Sequence, residues 1–173
     1  MRKTPYILLL LLVASLSACI IPGARQARAE LKLQANDSLF HIKQGAFDFR
    51  IIMPKDLMIT NEPEFILGQN GEQLTIRCGH DFNITVRKQQ TSTIDLAAEQ
   101  SKDQLFTYQV LDKEDVSVVF SRQLPDGRIY DYRLIQYLEF GEDAFAFETA
   151  RDTAFDLQQV LRMRSALASV QFE

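Results

Sequence analysis

From Phe47 to Phe147, apolar side chains return at every second position in one stretch after another. Phe47, Phe49, Ile51 and Met53 alternate with Asp48, Arg50 and Ile52. Leu74, Ile76 and Cys78 repeat the pattern, as do Phe82, Ile84 and Val86 beyond Gly79. Val116, Val118 and Phe120 follow, then Tyr130, Tyr132, Leu134, Leu138 and Phe140, and finally Phe145 and Phe147. Successive side chains of a strand point to opposite faces, so this period demands strands with one buried face. The turns between them are legible too. Gly45 follows a strand beginning near Leu39, and Asn70-Gly71 is a strong short hairpin signal. Pro125-Asp126-Gly127 and Gly141-Glu142-Asp143 reverse the chain on either side of the Tyr130–Phe140 stretch. Pro54 stops the second strand because proline has no N–H to give a ladder.

Two stretches break the strand period. Ile94, Ala98, Leu105 and Tyr108 fall on one helical face opposite Glu99, Lys102 and Asp103, which predicts a helix over 93–108. Ser92 and Asp95 have the spacing of a capping box at its start, and Thr153 and Asp156 repeat that spacing. The second pair opens a helix through Leu157, Val160, Leu161 and Leu167, before a short closing strand over Ser169–Phe172. The expected class is α+β, an antiparallel sheet of about six to seven strands with two main helices packed on it.

Ahead of this pattern the chain has another logic. Arg2 and Lys3 precede the apolar run Ile7–Ala14, which is short of the roughly 20 residues a membrane span needs. A charged start, a short apolar middle and small residues before a cut are the layout of a secretory signal. Leu16-Ser17-Ala18-Cys19 resembles the lipobox of bacterial lipoproteins. That resemblance implies cleavage before Cys19 and acylation of its thiol and new amino terminus. With Ile20 after the cysteine instead of Asp, it also implies sorting to the outer membrane, facing the periplasm. The expected organisation is a signal peptide over 1–18, a lipidated cysteine and tether over 19–37, and a single domain over 38–173.

Residues 1–18 hold two of the 19 basic side chains and none of the 23 acidic ones, so the remainder carries a formal charge of −6. An acidic chain without a basic run argues against nucleic acid as a partner. It also argues against a polybasic grip on anionic lipid, leaving the acyl chains to hold the membrane. Once Cys19 is acylated, Cys78 has no partner, so the domain must hold by packing without an internal disulfide.

Chemistry is sparse. Cys78-Gly79-His80-Asp81 brings a thiol, an imidazole and a carboxylate together, the makings of a nucleophile or metal site. Cys78, however, keeps the phase of Leu74 and Ile76 and reads as a small buried hydrophobe. A structural zinc would want four ligands, and the only other histidine is His41. Asp112, Glu114 and Asp115 offer oxygens to calcium but lack the loop spacing that binds it, so a solvated loop is expected. Tyr130 and Tyr132 share a phase with Leu134 and Leu138, which predicts core positions, while Ile135 and Tyr137 would pack under a helix. No catalytic residue, metal ligand set or cofactor is expected.

The order of elements supplies one further pointer. Phe47-Asp48-Phe49 leads to Met53-Pro54, Phe82-Asn83-Ile84-Thr85-Val86-Arg87 forms a central strand, and Ser165-Ala166-Leu167 precedes Val170-Gln171-Phe172. Over residues 38–172 this resembles the Mog1/PsbP-like superfamily, within it the bacterial DcrB-like group and the Eag chaperones of type VI secretion. The resemblance implies an α/β/α sandwich and a role as binding module, chaperone or assembly factor, not an enzyme. The expected function is a membrane-anchored periplasmic lipoprotein that binds a protein partner. Its alternatives are an immunity protein against a periplasmic toxin and a small-ligand or metal binder.

Overall fold

A computed structural model describes residues 37–59, 61–90 and 93–173, all of one structural unit. Cys19, the signal and tether segments and Ser92 lie outside the described residues. The alternating stretches form strands, and the chain pairs them into two antiparallel sheets. The first sheet has three strands: β1 (Asp37–Gln44), β2 (Phe47–Pro54) and, from the far end of the chain, β10 (Gln171–Phe172), in the order β1-β2-β10. The second has seven, in the order β3-β4-β5-β9-β8-β7-β6. Its members are β3 (Glu64–Leu67), β4 (Gln73–Cys78), β5 (Phe82–Gln89), β6 (Thr107–Lys113), β7 (Ser117–Gln123), β8 (Ile129–Phe140) and β9 (Asp143–Thr149). Two α-helices complete the set: α1 (Leu96–Ser101) and α2 (Leu157–Leu167). The α+β expectation holds, with seven strands in the main sheet. Among the described residues, no helix is long and apolar enough to cross a membrane.

The core lies on one side of the main sheet, against β2 and α2. Phe47, Phe49, Ile51 and Met53 are all fully buried, so the alternation read from β2 is realised residue by residue. They meet Leu74 and Ile76 of β4, Phe82, Ile84 and Val86 of β5, and Val160, Met163 and Leu167 of α2. Helix α2 starts at Asp156, whose carboxylate accepts from the Gln159 N–H while the Gln159 side chain accepts from the Asp156 N–H. The box is therefore three residues later than Thr153–Asp156, because Asp156 is itself the cap. After α2, the Ile52 N–H donates to Ser169 Oγ at 2.8 Å, and Phe172 settles against Phe49, Phe140 and Phe145.

The opposite side of the sheet carries a smaller cluster: Val118, Phe120 and Ile135, with Ile94, Leu96, Tyr108 and Tyr137 packed on it. Ile135 and Tyr137 thus lie beneath the α1 region, as expected. The helix itself differs from its reading. It spans six residues and starts at Asp95, which caps the Ala98 N–H, and none of its residues is buried. Thr107 and Tyr108 leave it to form β6, pairing with Gln123 and Arg122 of β7. A β-branched and an aromatic residue beside a free sheet edge gain ladder hydrogen bonds there that a thinly packed helix does not offer.

Candidate binding face

The residues nominated for chemistry are drawn apart. Cys78 is 1% exposed, and its thiol donates to the carbonyls of Leu57 and Asn61 at 3.1 and 3.5 Å. Burial, aided by the charge of Asp81, pushes its pKa up, so it stays a thiol. Asp81 accepts from Gln159 Nε2 at 2.6 Å, and His80 faces solvent. Asp112 and Glu114 are each 2.5 Å from the Arg164 guanidinium, so two acids of the expected solvated loop are held by α2. His41 Nε2 donates to Asp48 at 2.9 Å and lies 3.6 Å from Glu173, with ligand-capable atoms of all three within 4.8 Å of one another. Arg50 also binds Glu173, and Lys43 lies 3.5 Å from Asp48, so protein cations already occupy these carboxylates.

What the fold gathers instead is a charged face on the outer side of the main sheet. Asp131 has no exposed side-chain surface and accepts from three donors: Arg122 Nε at 2.8 Å, Arg122 Nη2 at 2.7 Å and Arg133 Nη2 at 2.5 Å. Arg122 Nη1 also donates to Asp103 at 3.0 Å, and Arg133 Nη1 to the Ala150 carbonyl. Burial lowers the pKa of Arg133 against the pull of Asp131. For Arg122, burial works the same way but the hydrogen bond and charge of Asp131 outweigh it, and the net shift is upward.

The Arg122 guanidinium lies 4.5 Å from the Phe106 ring centroid and 5.4 Å from that of Tyr130, whose rings are 4.9 Å apart. Tyr130 is 51% exposed, against the core position its phase predicts. The cause is a bulge. Arg122 pairs with Asp131, but Gln123 pairs with Ile129, so Tyr130 is an extra residue in β8. A bulged residue breaks the two-residue period, and here it places Tyr130 beside Phe106 and Arg122. The neighbouring Leu105 and Ile129 are 60% and 49% exposed. Beside them runs β6, which among the described residues pairs only with β7 and so leaves one edge open.

At the other end of this face, β4, β5 and β9 frame a groove of about 320 Å³. Thr75 and Thr85 face each other across β4 and β5, and Glu148 faces Thr85 across β5 and β9. The row on one side is Gln73, Arg87 and Ala146; on the other side Arg77 faces Asn83. Arg151 and Asp152 close the end. Each arginine has a carboxylate: Arg77 donates to Glu64 at 2.5 and 3.1 Å, Arg87 to Glu148 at 2.5 Å, and Arg151 to Glu99 of α1 at 2.8 Å. A smaller cavity lined by Glu99, Arg122, Arg133, Glu148 and Arg151 links the groove region to the Asp131 network.

No family model matches the chain, and no curated protein matches it in sequence. Among solved structures it is similar to the solution structure of cyanobacterial PsbP (CyanoP) from Synechocystis sp. PCC 6803. The two share 10% identity at a TM-score of 0.46, over 83% of this chain and 96% of that one.

Proposed function

We propose that this chain is a lipid-anchored, non-enzymatic binding module of the bacterial envelope, a DcrB-like member of the Mog1/PsbP-like group. In this reading residues 1–18 are removed, Cys19 is acylated, and the tether over 19–37 holds the domain over 38–173 at the outer membrane, facing the periplasm. The domain engages a protein partner through Tyr130 and its surroundings. One observation carries this: exposed Tyr130, packed on half-buried Phe106, rests on an arginine already fixed by Asp131 and Asp103. Tyrosine and arginine dominate the energetics of protein interfaces, and groups fixed beforehand lose little freedom on binding. Exposed Leu105 and Ile129 flank the pair in sequence and extend the apolar area.

The test is a pull-down from detergent-solubilised membranes with wild type, Cys19→Ala and the double variant Leu105→Ser/Tyr130→Ser. A stoichiometric, salt-resistant partner captured by wild type and Cys19→Ala but lost from the double variant supports the reading. Equal capture by the double variant moves the interface elsewhere, and no partner at all overturns it. A partner that is a toxin enzyme inhibited by the domain narrows the function to immunity. Fractionation of the Cys19→Ala protein away from the membrane checks the anchor separately.

A further inference from the structure

We propose that the open edge of β6 pairs with the same edge of a second copy of this chain, joining two main sheets into one. The backbone shows which groups are left over for this. The Glu114 N–H donates to the Ser117 carbonyl at 2.8 Å, and the Tyr137 N–H to the Val116 carbonyl at 2.7 Å. Successive residues of a strand aim these groups at opposite neighbours, so the odd-numbered residues of β7 serve β6 and the even-numbered ones β8. The register then gives Thr107, Gln109 and Asp112, opposite Gln123, Ser121 and Val119, to the ladder with β7. Tyr108 and Val110 lie between them and turn their N–H and C=O groups outwards. Among the described residues no strand takes these up.

The outward groups fit those of their own copy. An antiparallel pair centred on Gln109 sets Tyr108 against Val110 of the second copy, and Val110 against Tyr108. Each such pair exchanges two hydrogen bonds, and the two-fold axis makes both pairs alike. Tyr108 and Val110 lie opposite Arg122 and Phe120 of β7 and share the α1 face. Each rung therefore sets an aromatic beside a β-branched side chain, a favourable cross-strand pair. Val110 and Leu111 are 47% and 45% exposed, apolar area that the pairing covers. Charge favours the same stretch. Thr107–Leu111 holds no charged side chain, although the chain has a formal charge of −4. Lys113 faces Val118 on the α1 side and has no carboxylate partner among the described residues. The register carries its ammonium to the Leu105–Phe106 end of the second copy, where Asp103 lies. The bulge between Val110 and Asp112 ends the ladder there, so two edges close on each other without growing further. A ladder of about five residues a side is small for an interface and fits a dimer of micromolar affinity.

The test is disulfide trapping of the full chain in detergent micelles, with oxidised glutathione as oxidant, between about 1 and 100 µM. Gln109→Cys is expected to give a covalent dimer, because residues opposite each other at the axis have Cα atoms roughly 4.5 Å apart. Thr107→Cys, equally exposed on the same strand, is expected to give little. Its two copies stand four residues apart along the ladder, on the order of 13 Å, too far to bridge. The parent chain is the blank for Cys19 and Cys78. Val110→Pro in the Gln109→Cys chain removes an outward N–H, a position where an edge strand tolerates proline. Val110→Lys instead puts two like charges about the axis at a half-exposed site. Each is expected to cut the dimer yield about tenfold, since the symmetry counts every loss twice, at a Tm close to that of the parent. No dimer from Gln109→Cys at about 100 µM overturns the proposal. So does an equal yield from Thr107→Cys, or an undiminished yield in both folded Val110 variants. Trapping in the purified chain needs no other protein, so its failure is distinct from failure of the Tyr130 reading.

Discussion

Arg122 and Asp131 face each other across β7 and β8, and two parallel hydrogen bonds of 2.8 and 2.7 Å join guanidinium to carboxylate. Asp131 is the one acid between Arg122 and Arg133, and its side chain is completely buried. Removing one partner of a buried pair strands the others, at a cost of roughly 3–5 kcal/mol. Asp131→Asn should therefore destabilise the domain by that order in urea unfolding. Arg77→Ala breaks only the exposed pair with Glu64 and should cost about 1 kcal/mol or less. Comparable costs for the two would contradict the buried network.

The raised pKa of Cys78 bears on both reactivity and alkaline stability. The unfolded thiol ionises near its ordinary value of 9.0, and the folded one only at higher pH. The resulting stability is complete below pH 9.0 and is lost as pH rises towards the folded value. Iodoacetamide at pH 8 should leave Cys78 unlabelled in the native protein and label it in urea. Cys78→Ala should cost about 1–2 kcal/mol and flatten the alkaline loss.

Asp48 shows the opposite sign. The hydrogen bond from His41 holds its pKa below 3.8; burial opposes this, and the charge and hydrogen bond of Lys43 add to it. Its contribution is present above pH 3.8 and disappears as pH falls through the lower folded value. A carboxyl-detected NMR titration should place the Asp48 midpoint below 3.8, and His41→Ala should move it back upward. An unchanged midpoint in His41→Ala would remove His41 as the cause.

Gly79 and Gly127 both adopt positive φ, at +61° and +82°, but in different surroundings. A Cβ on Gly79 would lie 2.5 Å from Asn61 Nδ2, whereas one on Gly127 meets nothing within 4 Å. Gly127→Ala should thus cost about 1 kcal/mol from backbone conformation alone, and Gly79→Ala clearly more. Thermal unfolding of the two variants compares them directly.

The half of each strand that faces the core could be read from the sequence because burial imposes a period, as in Phe47 to Met53. The half that forms the groove could not. Thr75, Arg77, Asn83, Thr85 and Arg87 look like any solvent side of an amphipathic strand, and only the pairing of β4 with β5 sets them in rows. Tyr130 was hidden by a single-residue register shift, which a pattern of alternation cannot register. The stretch over 93–108 fits a helical period as far as Tyr108, yet the free edge of β7 outcompetes it. The thiol of Cys78 was legible for the same reason as Ile76 beside it.

Gln171 and Phe172 pair with Arg50 and Phe49, so the small sheet joins segments more than a hundred residues apart. Closing so long a loop is slow relative to local pairing. For a chain emerging residue by residue, the first described hairpin must wait for the stretch after α2 before its three-stranded sheet is complete. Until then Phe49 lacks part of its cover, so the small sheet of a growing chain stays incomplete until the last residues are made.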